Sequence, residues 1–326
     1  MARLSSILAD LGLTGGARKR ALESGKVRVH GIPTGDGGRD ADPDHVTLRP
    51  DAPRLRPGRD LVVVHRDSEV VVVWKPPGLL SVPARNRPDG HRSVLGMVQR
   101  ITRGPAYAVH RIDEPTSGLL MVARTEAAQA VLKEQLELHS VERRYVALVS
   151  GHPPVGPITH ETHFVRDRGD GLRGSMEAWD PPPADDHPGR RAVTRIRRLA
   201  MVDRRTSLVE ATLETGRTHQ VRIHLAEAGF PILGDLLYAT PQVSGRAARL
   251  ALHASVLGFV HPTSGEALRF VAPLADDLEQ LRRGLVREQQ DRAGAADERA
   301  PSSEGSRRRR PSRKGRKSKS RGRKRG

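Results

Sequence analysis

Residues 106–124 read AYAVHRIDEPTSGLLMVAR, and the organisation of the chain turns on them. Tyr107 to Arg111 alternates into an apolar run as a strand does, and Gly118 to Val122 is a second apolar run. Between them lies Asp113, with Arg111 two residues before it and Pro115 two residues after. Proline lacks an N–H and biases the preceding Glu114 away from helix. Thr116 and Ser117 carry hydroxyls suited to bonding the loop backbone. The pattern predicts strand, tight loop, strand, with a carboxylate on a stiff loop at a sheet edge. An Asp in a turn is most often a solvated turn-former. Here a neighbouring guanidinium favours an ionised carboxylate, and an ionised Asp is a nucleophile. On the local pattern alone, function and structure are equally good explanations.

A second stretch bears on the first. Residues 216–235 read GRTHQVRIHLAEAGFPILGD. Thr218 is placed to cap a helix running to Ala228, which Gly229 and Pro231 end. Arg222 lies one turn beyond that cap. Upstream, RRYVALVS over 143–150 alternates as a strand and carries Tyr145, one of three tyrosines.

The HRIDEPTSG segment, residues 110–118, resembles the catalytic motif of the RluA family of pseudouridine synthases, His-Arg-Leu-Asp-x-x-Thr-Ser-Gly. His110, Arg111, Asp113, Thr116, Ser117 and Gly118 match, and Ile112 replaces Leu. The stretch from Gly216 resembles the family's Gly-Arg-Thr-His-Gln-Ile-Arg-Val-His motif, and the similarity runs from about residue 61 to 273. What the resemblance implies is an α+β catalytic domain built on a mixed, largely antiparallel sheet with flanking helices. It also implies Asp113 as the catalytic carboxylate, Arg222 as its basic partner, Tyr145 as the base contact and Arg111 as the filler of the space left by a flipped nucleotide. The reaction breaks the bond between uracil N1 and ribose C1′, turns the base and rejoins it through C5. It needs no redox cofactor, energy source or metal. Asp113 could attack the sugar or the base, or remove a 2′ proton, and the sequence does not choose among these. His219 and His224 lack the Cys or carboxylate that would complete a metal site.

Residues 1–50 form a separate unit. Leu4, Ile7, Leu8 and Leu11 mark one helix, Ala17 to Ser24 a second, and KVRVHG over 26–31 a strand and turn. This resembles the αL RNA-binding domain shared with a small-subunit ribosomal protein, although His30 replaces the usual Asn and Ala17 the usual Ser. Arg18, Lys19, Arg20, Lys26 and Arg28 would lie on one face and meet phosphates. Residues 51–60, rich in Pro, are a linker, and 61–288 the catalytic domain. Residues 151–190 are rich in Gly, Pro, Asp and Arg and read as an irregular excursion. From 289 to 326 the composition is that of a disordered basic tail.

Composition agrees. The chain has 326 residues, no Cys and a net charge of +18, of which the last 26 residues supply +12. A basic balance points to a polyanion, most simply RNA. The absence of Cys fits a reducing cytoplasm and excludes a disulfide framework or Cys-held zinc. No apolar run reaches the ~18 residues of a membrane span. The expected protein is a monomeric cytoplasmic enzyme acting on ribosomal RNA. Its rivals are a transfer-RNA enzyme and an RNA-binding assembly protein that no longer catalyses.

Overall fold

A computed structural model describes residues 1–84, 93–178 and 189–298. Residues Met1–Gln289 form one compact unit and Gln290–Gly326 a second, of which only the helical residues to Glu298 are described. The first fifty residues carry a core of their own. β1 (Ala2–Arg3) leads into α1 (Leu4–Asp10), which buries Leu4, Ile7 and Leu8. α2 (Gly15–Glu23) follows, then β2 (Val27–Val29), whose Val27 and Val29 face the same cluster. β3 (Ile32–Pro33), β2 and β5 (Val46–Leu48) make a three-stranded sheet, while β4 (Asp40–Ala41) pairs with β1.

This unit is fastened to the rest of the chain by polar contacts. Asp276 accepts from Thr34 Oγ1 at 2.6 Å, from Gly35 N at 2.7 Å and from Arg39 Nη1 at 2.9 Å. Arg283 pairs with Asp36 beside them. Asp276 opens α7 (Asp276–Glu298), and burial holds its carboxyl above the usual carboxylate range.

The catalytic region is one long sheet, the mixed and largely antiparallel arrangement expected. β6 (Val62–Arg66) and β7 (Val70–Lys75) form a hairpin, and β7 is buried along its whole length. Trp74 lies in that core. After α3 (Val94–Thr102), β8 (Tyr107–Ala108) and β9 (Ser117–Ala123) bracket the Asp113 loop. α4 (Glu126–Glu137) is capped by the Thr125 hydroxyl, which accepts from Ala128 N. β10 (Glu142–Ser150), β11 (Pro157–Val165), β12 (Gly174–Ser175), β13 (Arg190–Asp203) and β14 (Thr206–Leu213) follow. Then come α5 (Gln220–Glu227), the short α6 (Pro241–Ser244), β15 (Leu252–Val260) and β16 (Ala267–Val271). The strand order is β12-β11-β13-β14-β10-β15-β9-β7-β6, with β16 on β15 and β8 on β9. Only the β15–β9 contact is parallel among the described pairings of this sheet, His253 facing Ser117 and Ala254 facing Gly118. Gly118 has φ +118°, and a Cβ there would collide with the Ala254 backbone.

Several expectations change. Only Tyr107 and Ala108 pair as a strand, so residues 109–116 are all loop. The excursion over 151–190 contains β11, a nine-residue strand with eight residues paired along β13. α7 continues to Glu298, taking in the first ten residues of the segment 289–326 expected to be a disordered tail. The polar loop over 85–92 and the basic segment 299–326 lie outside the described residues.

Candidate active site

The Asp113 loop is braced from several sides. Ile112 is buried, and its N–H donates to Ser81 Oγ at 3.1 Å while its carbonyl accepts from the same hydroxyl at 2.7 Å. The Glu114 carbonyl accepts from Gly78 N at 2.8 Å and from Lys75 Nζ at 2.9 Å. Lys75 is fully buried at the end of β7 and also donates to the Pro76 and Leu79 carbonyls. Burial pulls its ammonium down to about 7, although the Asp113 carboxylate opposes that. His110 Nε2 accepts from Met121 N at 3.2 Å, and burial holds that imidazole neutral, its pKa down to about 3. The Thr116 and Ser117 hydroxyls do not bond the loop backbone. Ser117 Oγ meets His253 Nδ1 at 2.9 Å and accepts from Arg249 at 3.2 Å, and Thr116 Oγ1 is buried without a partner among the described residues.

Asp113 opens into a cavity of about 580 Å³ whose lining includes Arg111, Tyr145 and Arg222. The sequence motifs, more than a hundred residues apart at their extremes, thus share one wall. The Asp113 carboxylate is 16% exposed, and Arg222 Nη1 stands 3.6 Å from its Oδ2. Arg111 is exposed at the rim, and Tyr145 is buried. Burial, with a smaller push from Asp113, raises the Tyr145 phenol to about 12 against the opposing Arg143. The hydroxyl therefore stays protonated near neutrality.

Arg222 is not held chiefly by Asp113. Its Nε and Nη2 bond Asp235 in a fork at 2.8 and 2.7 Å. Burial works against that guanidinium charge, but Asp235 outweighs it and holds the pKa above the usual value. Nη1 is left for Asp113. The helix that carries Arg222 is not capped by Thr218 as its sequence suggests. His219 is the N-cap, in the left-handed region at φ +60°. Its ring is fixed by Tyr238, whose hydroxyl lies 3.0 Å from Nδ1, and its Nε2 points at Asp113 Oδ1 from 4.0 Å. Burial lowers the His219 pKa, Asp113 opposing. The Tyr238 ring also covers the Arg222 guanidinium, 5.1 Å from Cζ to centroid.

Sequence reasoning missed four members of this constellation: Lys75, Arg143, His219 and Asp235. A lysine closing the apolar run Val70 to Trp74, just before Pro-Pro-Gly, was the visible signal for the first. For Arg143 it was the spacing of two from Tyr145, which puts both on one strand face. Among the basic residues of the N-terminal unit, Lys19 and Arg20 are exposed. Arg18 donates to the Ser5 carbonyl, Arg28 to Gly31, and Lys26 to the carbonyls of Pro50 and Ala52 where the linker begins.

The RNA pseudouridylate synthase family model matches residues 69–227. The ribosomal large subunit pseudouridine synthase D of Zymomonas mobilis is 36% identical over 261 residues, covering 72% of this chain and 78% of that protein. The chain belongs to the RNA pseudouridylate synthase family. It is an RNA pseudouridine synthase of the RluA type, an isomerase. The dual-specificity RNA pseudouridine synthase RluA of Escherichia coli K12 is 36% identical over 217 residues, 65% of this chain and 93% of that one. Among solved structures, human RNA pseudouridylate synthase domain containing 4 shares the fold with a TM-score of 0.55 at 22% identity, over 69% of this chain and 93% of that chain. No helix among the described residues is long and apolar enough to cross a membrane.

Proposed function

We propose that this synthase isomerises uridines of large-subunit ribosomal RNA, with Asp113 as the carboxylate that starts the reaction. The observation that carries the proposal is a part-exposed carboxylate, on a loop braced by buried hydrogen bonds, facing a cavity large enough for one extruded nucleotide. The choice of RNA follows the similarity to the large-subunit enzyme. Whether Asp113 attacks the sugar, attacks the base or removes the 2′ proton, the carboxylate must be ionised and aimed. Arg222 aims it, its own orientation fixed by Asp235. Tyr145 supplies a ring for uracil to stack on, and Arg111 at the rim fills the gap in the RNA stack. Flipping costs a few kcal/mol, least in a loop or bulge.

Residues 1–50 act as an αL-type RNA-binding unit, supported by their helix–helix–sheet order and the exposed Lys19 and Arg20. The basic tail adds phosphate contacts that raise residence on RNA. The enzyme works as a cytoplasmic monomer.

Asp113→Asn tests the central claim. It should abolish product and leave RNA affinity near normal; residual turnover would remove Asp113 from the role. Mapping pseudouridines in a deletion strain against its parent tests the substrate. Losses in large-subunit ribosomal RNA are expected, and losses confined to transfer RNA would overturn that assignment.

A further inference from the structure

A second buried cation faces the cavity, and the pairing of Asp113 with Arg222 leaves it unused. Arg143 and Tyr145 are two residues apart on β10 and share a strand face. Arg143 is 7% exposed and lines the cavity. Its Nη2 donates to the Glu214 carbonyl at 2.8 Å, while its Nε is buried without a hydrogen-bond partner among the described residues. Among the described residues no carboxylate lies within ion-pair distance of it. Arg144, on the opposite face, has Glu142 at 2.7 Å. Burying a charge without its counter-charge is strongly unfavourable. Yet the fold makes room for it: a Cβ on Gly216, in the turn before α5, would collide with Arg143 Nη1. The guanidinium packs directly against Gly216 and has no anion of its own among the described residues.

We propose that Arg143 is a catalytic residue that stabilises the uracil anion released when the glycosidic bond opens. The proposal rests on the Asp113 chemistry given above, in its sugar-attack or 2′-proton form. As the N1–C1′ bond breaks, its electron pair leaves with N1, and the detached base carries one negative charge shared with its carbonyl oxygens. The sugar is either bonded to Asp113 or has lost its 2′ proton to it. After the base turns, C5 bonds to C1′ while either the Asp113–C1′ bond breaks or Asp113 returns the proton to C2′; the C5 hydrogen leaves as a proton, N1 takes one up, and Asp113 is again a carboxylate. No electron is gained or lost overall. The anion exists only between the two bond changes. A cation aimed at it therefore lowers the barrier without tightening the hold on neutral uridine.

Depth favours the base over the backbone as the ligand. Arg143 is as buried as Tyr145, whereas a phosphodiester follows the protein surface. Tyr145 lies within electrostatic reach of both Asp113 and Arg143, and all three line the same cavity. Two cations then divide the work: Arg222 attends the carboxylate and Arg143 the leaving base.

The test compares Arg143→Met and Arg143→Lys with wild type, using a ribosomal RNA fragment that the wild-type enzyme modifies. Single-turnover rate and RNA Kd are measured separately. Arg143→Met should lose roughly 10²- to 10³-fold in rate, the scale of one lost oxyanion donor, with Kd essentially unchanged. Arg143→Lys should recover part of the rate. If the Met variant melts below the assay temperature, the Lys variant carries the test, since it keeps the charge but loses the planar fork. Its rate must fall at unchanged Kd. Loss confined to Kd would make Arg143 a phosphate contact and overturn the proposal, as would a wild-type rate in Arg143→Met. A wild-type protein that modifies no RNA would instead sink the proposed function itself.

Discussion

Arg222 holds two carboxylates with one guanidinium, and the division is unequal. The fork goes to Asp235, which is 1% exposed, and only Nη1 is left for Asp113. Removing a member of such a buried pair strands the other, at a cost of about 3–5 kcal/mol. Arg222→Ala should therefore lose far more turnover than RNA affinity and also lower the urea midpoint. Replacing both Arg222 and Asp235 by apolar residues should restore the midpoint but not the turnover, which separates the two duties. Tyr145 yields a pH prediction. With its phenol at about 12, the rate profile should show no inflection from it below pH 10, and Tyr145→Phe should keep more activity than Tyr145→Ala. The motifs named Asp113, Arg222 and Tyr145 because each sits in a recognisable local pattern. Asp235 was hidden because it is thirteen residues from Arg222, beyond the helix end at Gly229 and Pro231. Only the fold reveals that it returns to the same spot.

At the level of elements, the loop over 109–116 owes its shape to neighbours rather than to its own hydroxyls. Ser81 satisfies both backbone groups of buried Ile112. Ser81→Ala leaves them unpaired, so it should cost about 1–3 kcal/mol of stability and lower kcat more than it raises KM. Gly118→Ala should be harsher, because its φ and the Ala254 backbone both reject a side chain exactly where β9 meets β15. Soluble yield and melting temperature would report this; wild-type values would contradict the stated crowding. Strands such as β10 and β14 were legible because one apolar face repeats every second residue. β11 was not. Its sequence PITHETHFV places His160 and Thr162 on the inward side, so burial alternates without hydrophobicity doing so. The α5 start misled for a different reason: Thr218 has the right chemistry for a cap, but the backbone turns one residue later, at His219 in a conformation that side-chain-bearing residues seldom adopt.

Across the whole molecule, buried neutral histidines set the response to acid. Burial pushes His224 down to about 4 and His253 down to about 3, from an ordinary 6.5. Below pH 6.5 the unfolded chain takes up protons that the folded chain refuses, so stability falls as pH falls. Each histidine contributes a slope of about 1.4 kcal/mol per pH unit, flattening as the folded values are reached. Urea midpoints at pH 7, 6 and 5 should decline accordingly, and His224→Gln should remove its share of the slope. The convergence of Thr34, Gly35 and Arg39 on Asp276 has a different consequence. With its first fifty residues clamped to the start of α7, the enzyme is a caliper rather than a hand on a tether. On the proposed RNA-binding role of the small jaw, RNA held there reaches Asp113 at one set interval, so lengthening a substrate hairpin by a base pair should put the wrong nucleotide at the carboxylate, whereas Asp276→Ala should loosen the jaw and relax that choice.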